Sequence, residues 1–272
     1  MSLAGVAKET VAIVERGEYT CPSGQVVSIR AEVAAALAGT VLHRPEDFAR
    51  LPTPPAGPPR ATLEVWAATT GAATRRLVEE GAPAVAALNF ASAKNPGGGF
   101  LGGAKAQEED LARCSALYHC LRSQRAYYEV NRAEPSMLYT DHVIFAPGVP
   151  FFRDERLNLL PRPFCAAIVT APAPNAGEHL RRDASGHAAI RAALDRRAER
   201  VLRVLAHHGQ RVLVLGAWGC GVFRNDPAEV AAVFLAWLRA PGYAAAFDRV
   251  VFAIHDRSAG QGTLRAFERA LA

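Results

Sequence analysis

Apolar residues gather in six short runs, at 62–67, 84–90, 142–146, 165–171, 211–215 and 249–254. They are rich in Val, Ile, Leu and Phe, as expected of strands buried on both faces. Candidate helices lie at 72–80, 107–121, 188–207, 228–238 and 263–271. This alternation predicts an α/β fold, a three-layer α/β/α sandwich around a mostly parallel or mixed central sheet. In such folds ligands sit at the carboxyl ends of strands, so chemistry is sought there.

Residues 1–40 read as mostly helical, with apolar positions near helical spacing over 7–15 and an alanine-rich stretch over 27–37 that predicts a second short helix. LPTPPAGPPR, residues 51–60, has five prolines in ten residues and continues neither a helix nor a central strand. The expected organisation is a mainly helical extension with a proline-rich arm, residues 1–60, packed on a main domain of residues 61–272.

Composition narrows the setting. A chain of 272 residues, half of them hydrophobic, suits one large domain, or one domain with an accessory segment, and buries a core without disulfides or metals. The net charge of +5 favours anionic partners such as nucleotides, phosphates or polymers, although it equally serves solubility. The arginines are spread rather than clustered, which argues against a nucleic-acid-binding protein and against sequence-specific nucleic acid as a partner. Cysteines stand at 21, 114, 120, 165 and 220, an odd count without a C-x-x-C, which reads as reduced cytosolic thiols. The amino terminus is too charged for a signal peptide, and no apolar run reaches the roughly 18 residues of a membrane span. A cytoplasmic monomer without a membrane partner is expected.

Two glycine loops follow predicted strands. The first, NPGGGFLGGAKAQEED at 95–110, has five glycines between 97 and 103. Glycine permits positive φ and close approach of a ligand to the backbone, whose N–H groups then cradle phosphate ahead of a helix N-terminus. A plain flexible connection fits the same residues. Gly97, Gly99 and Gly102 also satisfy G-x-G-x-x-G, but the preceding strand ends too early and the region about 20 positions on reads as the end of a helix, so no dinucleotide site is expected. The second loop, GAWGCGVFRND at 216–226, leads to Asp226 as N-cap and Pro227 as first helical residue. Phe223 lays its ring on a ribose or base, or is a core aromatic.

Gln107, Glu108 and Glu109 stand where the first loop becomes a helix. Acidic residues in a first turn stabilise the helix dipole by about 0.3–1 kcal/mol, and Asp110 fits that role best. Adjacent helical residues face different ways, so Glu108 and Glu109 can also reach different parts of one ligand. One can accept from ribose hydroxyls and the other exchange a proton at a glycosidic bond.

These residues resemble a known family. GGGFLGGAKAQEE, residues 97–109, is similar to the G-G-G, six-to-eight-residue, Q-E-E signature of poly(ADP-ribose) glycohydrolases, with seven residues between Gly99 and Gln107. LNFASAKNPGGG, AKETVAIVERGEY and GAWGCGVFRND look like the bacterial branch. The resemblance implies a macrodomain fold for 61–272, with Glu109 as the catalytic acid/base and Glu108 holding ribose hydroxyls with support from Gln107. It implies Ser92 on the distal ribose. It also implies that Gly97, Gly98, Gly99 and the run Gly219, Cys220, Gly221, Val222, Phe223 bind diphosphate and ribose, with Phe223 stacking to orient the substrate. The substrates would be poly(ADP-ribose) and ADP-ribosylated proteins, the product ADP-ribose, and no metal or cofactor is implied. A non-catalytic ADP-ribose reader and a mono-ADP-ribosyl hydrolase are the alternatives.

The adenine site is unassigned. The segment after the last strand, HDRSAGQGTLRAF at 255–267, is expected to flank the ribose on the polymer side, with Thr263 a candidate there or a helix cap. His207 and His208 lack further ligands at zinc spacing and read as a helix C-terminal charge. Cys114 and Cys120 read as packed on the helix after Q-E-E, and Cys220 as a small packed residue.

Overall fold

The computed structural model describes residues 2–272. The first third comprises α1 (Leu3–Arg16), β1 (Glu18–Thr20), β2 (Val26–Ser28), α2 (Arg30–Gly39), β3 (Val41–His43), β4 (Thr62–Trp66), α3 (Thr70–Glu79) and β5 (Val85–Phe90). Next come α4 (Gln107–Cys114), α5 (Leu117–Ser123), α6 (Arg125–Ala133), β6 (Val143–Arg153) and β7 (Leu159–Ala171). The chain ends with α7 (Ala176–Arg182), α8 (His187–His207), β8 (Val212–Gly216), α9 (Pro227–Arg239), α10 (Tyr243–Ala246), β9 (Arg249–Ala253) and α11 (Gly262–Leu271).

A seven-stranded mixed sheet, ordered β3-β6-β7-β5-β8-β9-β4, is the middle layer. The run β7-β5-β8-β9-β4 is parallel, and β6 lies antiparallel to both β7 and β3. Successive residues of each central strand enter opposite layers. Ala86 and Leu88 of β5 join α8, α9 and α11, whereas Val85 and Ala87 join α1 to α6. Burial on both faces explains why the central strands are continuously apolar. The three-layer α/β/α expectation holds, and among the described residues no helix is long and apolar enough to cross a membrane.

Several local expectations change. The stretch 27–37 is helical only from Arg30, because Val26–Ser28 pairs with Glu18–Thr20 in a small hairpin. β3 enters the main sheet beside β6, so the segment before residue 60 contributes an edge strand. The proline-rich stretch runs on to α10, where Arg60 N donates to Ala244 O. The helix expected over 107–121 breaks at Ser115, which is extended, bridges Phe151, and donates from its hydroxyl to Leu111 O. The strand expected over 142–146 continues to Arg153 despite Pro147 and Pro150, because the register shifts between Ala146 and Val149.

His208 is not a terminal charge. Its ring stacks on Phe145 at 3.9 Å, and its Nε2 lies 2.9 Å from His43 Nε2. Burial, followed by the neighbouring histidines, pushes its pKa down to about 4, so the ring is neutral at pH 7.

One buried cation supports the strand ends. Arg197 of α8 donates through Nη1 to Pro172 O at 2.6 Å and through Nη2 to Leu138 O and Tyr139 O at 2.9 and 3.2 Å, while pairing with Asp141. Its guanidinium satisfies carbonyls of the segments that follow β7 and precede β6. Replacement by Met strands those carbonyls, so Arg197→Met is expected to destabilise the protein by about 3–5 kcal/mol, read as a lower urea midpoint at constant m-value.

Candidate active site

β8 pairs with β5 only as far as Ala87↔Val214, yet continues beside β9 to Gly216↔Ala253. The sheet therefore splays between β5 and β8 at its carboxyl edge. Gln107 fills the gap. Its Oε1 accepts from Phe90 N at 2.8 Å, and its Nε2 donates to Leu88 O at 2.7 Å and to Thr70 Oγ1 at 3.1 Å. One side chain thus replaces the missing strand neighbour and pins the first turn of α4 to β5.

The next two residues inherit their places from that anchor. Glu108 is 2 % exposed; its Oε2 accepts from Ser92 N at 2.7 Å and its Oε1 from Asn89 Nδ2 at 3.2 Å. Burial dominates over these donors and pushes its pKa up to about 8. Glu109, 8 % exposed, uses Oε1 to accept from Gly99 N at 2.8 Å. Gly98, at φ +57°, has no room for a side chain, because a Cβ would collide with Glu109 Oε1. Arg113, fully buried on the same helix, donates to Ala104 O at 2.7 Å and pairs with exposed Asp110, tying the end of the first loop to α4.

The second loop is held from beneath. Trp218 Nε1 donates to Ala171 O at 3.0 Å, and Asn225 Nδ2 donates to Pro174 O at 2.8 Å and Gly219 O at 3.2 Å. Gly219, at φ +73°, fits against Asn225 and Ala173, where a Cβ has no space. Asp226 caps α9 through Ala228 N and Glu229 N, as the sequence predicted. Phe223 is half-buried, with its ring 5.9 Å from that of Tyr139. Burial pushes the Cys220 thiol up to about 12, so it stays protonated.

The two loops enclose one cleft of about 1030 Å³, lined by Ser92, Gly98, Gly99, Gln107, Glu108, Glu109, and Gly219 with Cys220, Gly221, Val222 and Phe223. Gly97 is set apart. It is buried at φ +68°, packed under Tyr118 on the inner side of its loop. Gly97, Gly99 and Gly102 do not lead directly into a helix: Phe100–Gly102 is a short 3-10 turn, and α4 begins only at Gln107. Thr263 lines the cleft, and its N–H donates to Asp256 Oδ2 at 2.8 Å. His255–Arg257, from the segment after the last strand, also line it, as do Thr69–Gly71, which the sequence did not mark. Asn89 was hidden inside an apolar strand, and Tyr139 in an unassigned loop.

Glu108 links the site to stability. Its pKa is near 4.5 in the unfolded chain and about 8 when folded, so the folded state holds the extra proton between those values. That contribution is complete below about 4.5 and is lost as pH rises through about 8. Asn89 Oδ1 is buried without a partner, and turning that amide over offers an acceptor to a neutral side chain. Glu108→Gln should therefore remove a fall in Tm between pH 5 and 8 that the wild type shows, measured by calorimetry across that range.

Comparison with known proteins agrees with this geometry. The family model for the microbial-type PARG catalytic domain matches residues 7–154. The crystal structure of poly(ADP-ribose) glycohydrolase from Thermomonospora curvata is 48 % identical, with 98 % of each chain covered and a TM-score of 0.91. The same enzyme bound to the inhibitor ADP-HPD gives 48 % and 0.90. The Deinococcus radiodurans poly(ADP-ribose) glycohydrolase in complex with ADP-ribose is 50 % identical over 90 % of this chain and 98 % of that one, with a TM-score of 0.83. No match is found among curated proteins. The signature at 97–109 and these whole-chain likenesses agree, and the chain belongs to the microbial-type poly(ADP-ribose) glycohydrolases.

Proposed function

We propose that this poly(ADP-ribose) glycohydrolase cleaves the ribose–ribose bonds of its polymer with Glu109 as the single general acid and base. The observation that carries the assignment is the buried carboxylate pair at the start of α4, each member held by an N–H of a different loop segment. Gly99 N fixes one oxygen of Glu109 and leaves the other for the scissile bond. Glu109 protonates the departing ribose oxygen as the C–O bond breaks and the anomeric carbon takes on oxocarbenium character. Water then adds to that carbon and returns its proton to Glu109, so the carboxyl group ends as it began.

Glu108, anchored to Ser92 N and Asn89, accepts from ribose hydroxyls, and Gln107 holds both carboxylates in register. Ser92 Oγ accepts from Lys94 N and Asn95 N, leaving its own O–H for the distal ribose. Gly98, Gly99 and Gly219–Phe223 hold the diphosphate and ribose, with Phe223 stacked to set the sugar's orientation and Gly97 shaping the loop from inside. The substrates are poly(ADP-ribose) and ADP-ribosylated proteins, and the product is ADP-ribose.

A timed digest of purified poly(ADP-ribose), followed by chromatography, tests the assignment. Glu109→Gln retains an acceptor for Gly99 N, yet should lower turnover by ~10²–10⁴-fold while leaving ADP-ribose affinity nearly unchanged. Full activity in that variant would overturn the assignment of Glu109. Binding without cleavage by the wild type would make the protein a reader, and cleavage of single ADP-ribosyl groups only would make it a mono-ADP-ribosyl hydrolase. Gly98→Ala, which displaces Glu109 without removing it, is expected to reduce kcat by ~10²-fold in the same assay.

A further inference from the structure

The cleft accounts for one ADP-ribose unit, whereas a polymer-cleaving enzyme must also meet the unit on the other side of the bond it breaks. Just outside the cleft lining, three cations from three different segments adjoin Ser92 or Phe223 along the chain or through a direct contact. Lys94 follows Ser92 by two residues, and its backbone N lies 3.3 Å from Ser92 Oγ. Arg132, at the end of α6, is exposed and donates through Nη1 to Lys94 O at 2.7 Å, so these two residues touch. Arg224 is also exposed, directly follows Phe223, and lays its stem against Gly177 of α7.

The segment after α6 closes the arc. Asn131 Oδ1 accepts from Thr140 N at 2.9 Å, and the half-buried ring of Tyr139, held at φ +61°, packs against Phe223. Nearby acidic residues are engaged elsewhere: Glu178 pairs with Arg181 and Arg182, and Glu134 accepts from Ser136 N. Among the described residues, Lys94, Arg132 and Arg224 have no ion-pair partner, so their charges are free to meet an anion.

We propose that Lys94, Arg132 and Arg224 form a subsite for the diphosphate of the adjoining ADP-ribose unit, on the leaving side of the scissile bond. The proposal rests on the reading that Ser92, Glu109 and Phe223 surround the distal ribose. The scissile bond starts from that sugar, so the leaving unit passes out beside Ser92 and Phe223, the residues these cations adjoin. Guanidinium groups suit phosphate oxygens through paired N–H donors. Contacts made with the leaving unit also separate the polymer from free ADP-ribose, because only the polymer can make them.

The test uses the double variant Arg132→Gln/Arg224→Gln, which keeps most of each stem. It leaves Lys94 untouched, because that residue's backbone is bonded to Ser92. Initial rates on purified poly(ADP-ribose) are measured from low salt to about 0.3 M, and ADP-ribose affinity by calorimetry. The subsite predicts that KM for the polymer rises roughly tenfold at low salt, that its salt dependence flattens, and that kcat and ADP-ribose affinity stay nearly constant. Unchanged polymer KM and salt dependence would overturn the subsite. Equal weakening of ADP-ribose would also overturn it, by assigning the cations to the cleft itself. A wild-type protein that neither binds ADP-ribose nor cuts polymer would remove the underlying reading of the cleft, an outcome distinct from either result with the variant.

Discussion

The site depends on a gap in the central sheet. Where β8 turns away from β5, the backbone groups of Leu88 and Phe90 face inward with no strand to pair with. Buried and unpaired, each would cost about 1–3 kcal/mol. Gln107 supplies both an acceptor and a donor to them, and so fixes the position of α4 relative to the sheet. Once that residue is placed, the roughly 100° advance per helical residue decides where Glu108 and Glu109 face. A shorter or charged side chain at 107 would satisfy only part of the gap.

Two explanations compete for the acidic first turn of α4, and burial separates them. Asp110 is exposed and pairs with Arg113, which is what dipole stabilisation and a local ion pair require. Glu108 and Glu109 are buried, and the gain from a helix dipole, about 0.3–1 kcal/mol, does not offset the desolvation of a carboxylate. The upward shift of Glu108 is the sign of that imbalance. The fold tolerates the pair by giving each member a backbone donor, Ser92 N just after β5 for Glu108 and Gly99 N in the glycine loop for Glu109. Stability alone would favour apolar residues there, so the pair points to function.

The parts of the fold visible in sequence are those whose signal is local. The central strands lie between two helical layers, so both faces are apolar and the runs stand out. β1 and β2, a hairpin, and β3, which pairs with distant β6, have only three residues each, too few for a pattern to stand out. The break after Cys114 was invisible because Ser115 gains its extended conformation from a bridge to Phe151, far away in sequence. The site divides in the same way. The spaced triplet and Q-E-E mark loop and helix start locally, whereas Asn89 lies inside an apolar strand and Tyr139 in a connecting segment. The partner of His208, His43, is supplied by the edge strand, which no spacing rule connects to the end of α8.

The same logic explains why the second loop carries so few conspicuous residues. A loop that offers backbone N–H groups to an anion needs its shape set from behind, not by the side chains it presents. Trp218 and Asn225 do this by bonding Ala171 O and Pro174 O, while Arg197 holds the intervening Pro172 O. All three carbonyls belong to the end of β7 and the residues after it, so strand, loop and buried cation form one rigid support. Tyr139, whose carbonyl also accepts from Arg197, then packs on Phe223. The aromatic proposed to orient the sugar is therefore positioned by a buried guanidinium that bonds its neighbour Tyr139. Rigid support for a mobile-looking glycine loop is what makes preorganised donors worth more than flexible ones, since no ordering cost remains when the ligand arrives.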